Sequence, residues 1–162
     1  MKLYHGSNQI IKVPDLKKSR KFLDFGSGFY LSTGVKQAEN RAKSAVLFFD
    51  TGSPIIDIYN FDETSVNLNI LKFKSADIPW LDFVMANRKG EPVSQYDIVT
   101  GPTANDKTVL TIDQYMQGIY DHLENPKKIV IQLLQPEKLE TQYLFATEKA
   151  ISNLSFMEAY KL

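Results

Sequence analysis

The chain contains no cysteine. That excludes disulfides, thiolate zinc sites and cysteine nucleophiles together. It has only two histidines, His5 and His122, too few for a histidine-built metal centre, so no metal is expected. No stretch reaches the roughly 18 apolar residues that a membrane span requires. The opening residues, Met-Lys-Leu-Tyr-His, lack the apolar run of a secretory signal. A charge surplus is missing too, because nineteen Lys plus Arg offset nineteen Asp plus Glu. A protein that tracks long phosphate backbones carries a basic excess, which leaves only a local basic patch to consider. The expectation from these absences is a soluble cytoplasmic protein with no membrane contact.

What is present suits a packed interior. Of 162 residues, 43% are apolar and 12% aromatic, so disorder is not the default and one domain over 1–162 is expected. Strand-like and helix-like stretches are interspersed without a regular βαβ rhythm, which predicts a mixed α+β fold. Lys2–His5 and Phe29–Leu31 read as short strands, each beside glycine and serine. Val35, Ala38, Ala42, Ala45, Val46 and Phe49 recur at helical spacing after Ser32 or Thr33 as a cap. Ile55–Tyr59 is β-branched and strand-like. Asp77 or Ser75 caps a helix over Trp80, Phe83 and Val84 that stops near Gly90. Tyr96–Val99 reads as a strand closed by Thr100-Gly101-Pro102. Thr111 with Gln114 forms a capping box. Asn125-Pro126 opens another helix, and Gln142–Ala146 and Ser155–Tyr160 read as the last strands around a helix at 147–154.

Single elements carry little chemistry. His5 at a strand end is ordinarily a structural hydrogen-bonder. Gly26-Ser27-Gly28 lacks the third glycine of a dinucleotide fingerprint. Asp24-Phe25-Gly26 echoes a kinase tripeptide without its partner motifs. The combination says more. Leu3-Tyr4-His5-Gly6-Ser7, followed by Phe25-Gly26-Ser27-Gly28-Phe29-Tyr30-Leu31 and then Lys36-Gln37-Ala38, resembles the first two motifs of the ADP-ribosyltransferase superfamily, in its poly(ADP-ribose) polymerase-like His-Tyr-Glu branch. The chain is also similar to a bacterial family of that superfamily, domain of unknown function 3990, at Asp24–Tyr30, Trp80–Arg88 and Tyr96–Asp106.

The resemblance implies an ADP-ribosyltransferase-like fold with split antiparallel or mixed sheets flanked by helices, and NAD as substrate. It places His5 at an adenosine-side ribose hydroxyl and Tyr30 against the flat, cationic nicotinamide ring. Gly6 offers backbone to the carboxamide, Ser7 and Asn8 line that edge, and Gly28 and Ala38 belong to the same NAD-binding set. Arg41 stands where the superfamily often has a second aromatic. The catalytic glutamate position falls on Gln142 in Glu140-Thr141-Gln142-Tyr143; Glu140 and Glu148 are the alternatives. Glutamine still accepts a hydrogen bond from the nicotinamide-ribose hydroxyl but brings no negative charge to a developing cation.

Asn105 and Asp106 are candidates for the acceptor side, against the plain reading of an Asx-type turn. Asn87-Arg88 is either a pyrophosphate contact or a helix C-terminus with favourable charge. The activity implied is mono-transfer of ADP-ribose to a macromolecule, protein or nucleic acid, in a toxin–antitoxin or defence setting with a neutralising antitoxin partner. The competing expectations are a catalytically inactive NAD or ADP-ribose reader, and action on a nucleic-acid end as in RNA 2′-phosphotransferases.

Overall fold

The computed structural model describes residues 1–65, 67–91, 95–104, 106–134 and 139–162, with the side chains of Ser65 and Asp106 left aside. Its framework is a seven-stranded sheet: β1 (Lys2–Ser7), β2 (Phe29–Ser32), β3 (Ile55–Asn60), β4 (Ile70–Lys72), β5 (Ile98–Pro102), β6 (Thr141–Phe145) and β7 (Ser155–Lys161). The spatial order is β4-β5-β6-β2-β1-β3-β7. Only β4 and β5 run parallel; every other neighbour pair is antiparallel. The architecture is therefore α+β with one mixed sheet, continuous rather than split into two.

Alternation along the strands assigns the two faces. Leu3, Phe29, Leu31, Tyr59, Tyr143 and Phe145 form one apolar cluster with Ala150 and Ile151 from the short α5 (Glu148–Ile151). On the other face, α1 (Val35–Phe49) covers one half of the sheet by setting Ala38 and Ala42 on Ile56 and Ile58. Over the remaining half lie α2 (Ile78–Lys89), α3 (Asp106–Met116) and α4 (Pro126–Leu134), whose Trp80, Val84, Ile112 and Val130 meet Val99 and Leu144. The buried Trp80 indole N–H donates to the Pro102 carbonyl at 3.1 Å, so its one polar atom is satisfied.

Local signals set several boundaries. Asp77 accepts the Trp80 N–H at 3.0 Å as the N-cap of α2, and Gly90 ends that helix at φ 74°, where glycine is favoured. The Ser32 hydroxyl accepts the Gly34 N–H at 3.0 Å just ahead of α1. Other expectations are corrected. Thr100-Gly101-Pro102 does not close a strand but forms most of β5, paired with Thr141–Tyr143. Thr111 is no cap, because α3 begins at Asp106 and the Thr111 hydroxyl donates back to the Lys107 carbonyl. The stretch 147–154 holds only four helical residues. Val35 and Phe49, at the two ends of α1, are exposed rather than buried with Ala38 and Ala42.

Candidate functional site

A single pairing joins the two halves of the sheet. β1 and β2 pair only at Tyr4↔Ser32. Beyond it β1 continues along β3, and β2 continues along β6. The strands fork from His5 onward, and a cavity of about 1110 Å³ opens there. Its walls include β1, β2 and the loop after β1, together with α1 through Gln37 and Arg41 and α3 through Val109.

His5 spans the fork. Its Nδ1–H donates to the Tyr30 carbonyl at 2.8 Å, replacing a ladder bond that the diverging backbones no longer make. That bond assigns the proton to Nδ1 and leaves Nε2 as an acceptor. The ring packs on Phe29, with centroids 4.3 Å apart. Burial pushes the imidazole pKa down to about 4, against the smaller raising effect of the carbonyl bond, so His5 is neutral near pH 7. The alternation places His5 on one sheet face and Tyr30 on the other, yet both line the cavity because the strands have parted.

Tyr30 anchors the glycine loop. Its hydroxyl accepts the Phe25 N–H at 3.0 Å and donates to the Gly26 carbonyl at 2.7 Å. Burial raises its pKa far above the ordinary phenol value. The hydroxyl is thus committed to the loop, and the ring is what remains for a ligand.

Gln142 sits opposite Ser32 in the β2–β6 ladder. It is 4% exposed, lines the cavity, and its Nε2 is buried without a partner among the described residues. An unsatisfied buried amide costs on the order of 1–3 kcal/mol, and a ligand that bonds it removes that cost. Neither alternative reaches the cavity lining. The Glu140 carboxylate lies against Gly34 and 3.5 Å from the Ser32 hydroxyl, beside the N-terminus of α1. Glu148 is exposed at the far end of β6, in the first turn of α5.

The remaining expectations fare unevenly. Gly6, Ser7, Asn8, Gly28, Ala38 and Arg41 all line the cavity. Glycine at position 6 also meets a packing need. A Cβ there would sit 1.8 Å from the Ala38 carbonyl oxygen, so its absence admits the close approach of α1. Gly28 likewise gives room to Leu144 and the Phe145 carbonyl. Ser7 turns its hydroxyl to the Gln9 backbone, and Asn8 donates to the Thr51 carbonyl at 3.2 Å. Asn105 and the side chain of Asp106 lie outside the described residues; their neighbours Ala104 and Val109 line the cavity. Arg88 is engaged by two carboxylates, with Nε and Nη2 on Asp24 and Nη1 on Asp113. It ties α2 to the glycine loop and to α3. Asn87 donates to the Phe83 carbonyl within α2. His122 is exposed, and Lys127 pairs with Asp82 at 2.7 Å.

Three features escaped the sequence reading. Ser32 and Gln37 add polar lining and join through a 2.7 Å bond to the Gln37 Oε1. Asp57, paired with His5 across β1–β3, is fully buried, and both its oxygens accept the Ile11 N–H at 3.2 Å. Burial pushes its pKa up to about 6, partly offset by that N–H. The Tyr59 hydroxyl donates to the Ile11 carbonyl, so the cavity-wall loop is held at both ends of one residue. Lastly, Lys18 and Arg20, which with Lys17 and Lys21 read from the sequence as a solvated basic run, line the cavity with Lys12 and Arg41, and none of these four has a carboxylate within ion-pair distance among the described residues.

Among the described residues no group of His, Cys, Asp and Glu is placed to hold a metal, and no helix is long and apolar enough to cross a membrane. No curated protein and no solved structure matches the chain. A family model described as protein of unknown function, DUF3990, matches residues 1–156. The chain is a member of the DUF3990 family.

Proposed function

We propose that the chain is a mono-ADP-ribosyltransferase of the ADP-ribosyltransferase superfamily that takes NAD⁺ in the forked cavity and passes ADP-ribose to a macromolecular acceptor. The observation that carries the reading is the convergence of a neutral His5, the Tyr30 ring and a partnerless Gln142 amide on one cavity. In this reading the His5 Nε2 accepts from an adenosine-side ribose hydroxyl. The Tyr30 ring stacks on the nicotinamide, an arrangement suited to a cationic heterocycle. Gln142 hydrogen-bonds the nicotinamide ribose, and the Arg41 cation faces the pyrophosphate.

The glycosidic bond between the ribose C1′ and the pyridinium nitrogen breaks, and its electron pair leaves with nicotinamide. An acceptor heteroatom then bonds C1′ and releases its proton. The residues contribute orientation of the dinucleotide and exclusion of water, and Gln142 supplies a dipole where the superfamily supplies a charge. A neutral amide stabilises an oxocarbenium-like centre less than a carboxylate does, which favours a single transfer over chain elongation.

Incubation with NAD⁺ labelled in the adenosine ring, followed by nicotinamide release and label transfer, is the direct test. Both products are expected. Tyr30→Ala is expected to weaken NAD⁺ binding by calorimetry at least about tenfold. Neither product and no binding would refute the reading. The lack of a carboxylate at position 142 favours a second reading, an NAD⁺ or ADP-ribose reader without turnover. It predicts binding with no nicotinamide release, and release restored by Gln142→Glu.

A further inference from the structure

The cavity mouth is greasy and cationic at once. Ile10 and Val13 stand on the loop after β1, and Phe48 and Phe49 on the last turn of α1; all four line the cavity and all are exposed, Val13 by 80% and Phe48 by 71%. An exposed apolar group of this kind, clustered rather than scattered, marks an interaction site. Around it lie Lys12, Lys18 and Arg20, which have no carboxylate partner among the described residues; the Arg20 guanidinium sits 6.0 Å from the Phe48 ring centroid. The acidic groups lining the same cavity are Asp15 and Asp24, the latter paired with Arg88, and Lys12, Lys18, Arg20 and Arg41 outnumber them. The rim therefore presents a net positive field to whatever approaches it.

The geometry points to a docking surface for a protein acceptor: we propose that this rim receives a segment that alternates acidic with apolar side chains, its apolar residues against Val13 and Phe48 and its carboxylates against Lys12, Lys18 and Arg20. The inference rests on the transferase reading for the word acceptor, and on the rim alone for the chemistry of the partner. Charge complementarity selects the acidic character. Two observations favour protein over a single nucleic-acid strand. The apolar share is half aliphatic, and the Phe48 and Phe49 rings meet at 89°, which leaves no parallel shelf on which successive bases stack. A lipid surface fits less well, because the apolar groups come from two separate elements, the loop after β1 and the end of α1, rather than from one helix face.

The test is fluorescence anisotropy of a labelled synthetic peptide in which Glu and Leu alternate, titrated with the full chain at low salt. Binding is expected, and Lys18→Glu and Phe48→Ser are each expected to weaken it at least about tenfold. Both positions are exposed, so circular dichroism and melting temperature should match the parent chain. The matching peptide of Lys and Leu should not bind. No binding of the acidic peptide, or binding indifferent to both variants, overturns the proposal. So does tighter, Lys18-dependent binding of oligothymidylate or of phosphatidylserine vesicles. Light scattering that shows a dimer dissociated by Phe48→Ser would also overturn it, by assigning the rim to a second copy of the chain. The peptide measurement needs no NAD⁺. Peptide binding without NAD⁺ chemistry sinks the transferase reading and keeps the docking surface; transfer without peptide binding does the reverse.

Discussion

Replacing Asp57 by Asn should make the protein more stable at neutral pH and slightly less stable in acid. In the folded chain burial pushes the Asp57 carboxyl from 3.8 to about 6, so the fold disfavours its charged form. Between those values the folded state binds more protons than the unfolded one, and stability falls as pH rises through the interval. At about 1.36 kcal/mol for each tenfold change in proton affinity, the loss above pH 6 comes to about 3 kcal/mol. His5 works in the opposite sense. Burial lowers it from 6.5 to about 4, so its contribution is complete above 6.5 and is lost as pH falls toward 4, again by about 3 kcal/mol. The two slopes cover nearly the same window and nearly cancel in the parent chain.

Asn at position 57 keeps an oxygen for the Ile11 N–H but leaves a buried NH₂ without a partner, which costs roughly 1 kcal/mol. The net expectation is a gain of roughly 2 kcal/mol near neutral pH and a loss of roughly 1 kcal/mol in acid, where only the amide cost remains. The variant should also show a stability that climbs with pH where the parent is flat. Urea unfolding at several pH values reads this directly. A variant less stable than the parent at neutral pH, or one with a flat profile, would refute the assignment of burial as the dominant influence on Asp57.

Other perturbations have equally definite outcomes. Gly6→Ala would set a methyl 1.8 Å from the Ala38 carbonyl oxygen. Backbone rather than a movable side chain must yield, so the cost should reach about 3 kcal/mol, seen as a melting temperature roughly 6–12 °C lower. Tyr30→Phe removes both hydroxyl bonds to the glycine loop and should cost about 1–2 kcal/mol, with faster amide exchange at Phe25 and little change in ring stacking on a ligand. Arg88→Met leaves Asp24 half-buried without its cation; a loss of about 2 kcal/mol in urea unfolding is expected, and Asp24→Asn on top should recover part of it.

Much of this arrangement can be read in the chain because its signals are local. Asp77 and Gly90 bracket α2 by capping chemistry that needs no knowledge of the fold. The His5 and Tyr30 motifs lie on strands whose alternation is visible in a few residues. What could not be read depends on distant pairing. Thr100-Gly101-Pro102 looks like a turn until Thr141–Tyr143 pairs with it. The choice among Glu140, Gln142 and Glu148 is a question of register, and the Ser32↔Gln142 pairing places only Gln142 at the cavity. Nothing in the neighbours of Gly6 announces that α1 packs on it. Asp57 sits in an ordinary β-branched strand, and its burial follows only from β1 and β7 lying on either side.

The lone Tyr4↔Ser32 pair makes the sheet two wings sharing a seam of one residue pair, bridged by the His5 imidazole and by the apolar cluster on one face. Elsewhere in the sheet several ladder bonds share the load; here the apolar cluster of Leu3, Phe29, Leu31 and Tyr59 carries it instead. A molecule lodged in the gap touches both wings at once and supplies the crosswise adhesion that the backbone omits. Occupancy of the hollow and cohesion of the scaffold are therefore linked, and the melting temperature should climb with guest concentration above its Kd.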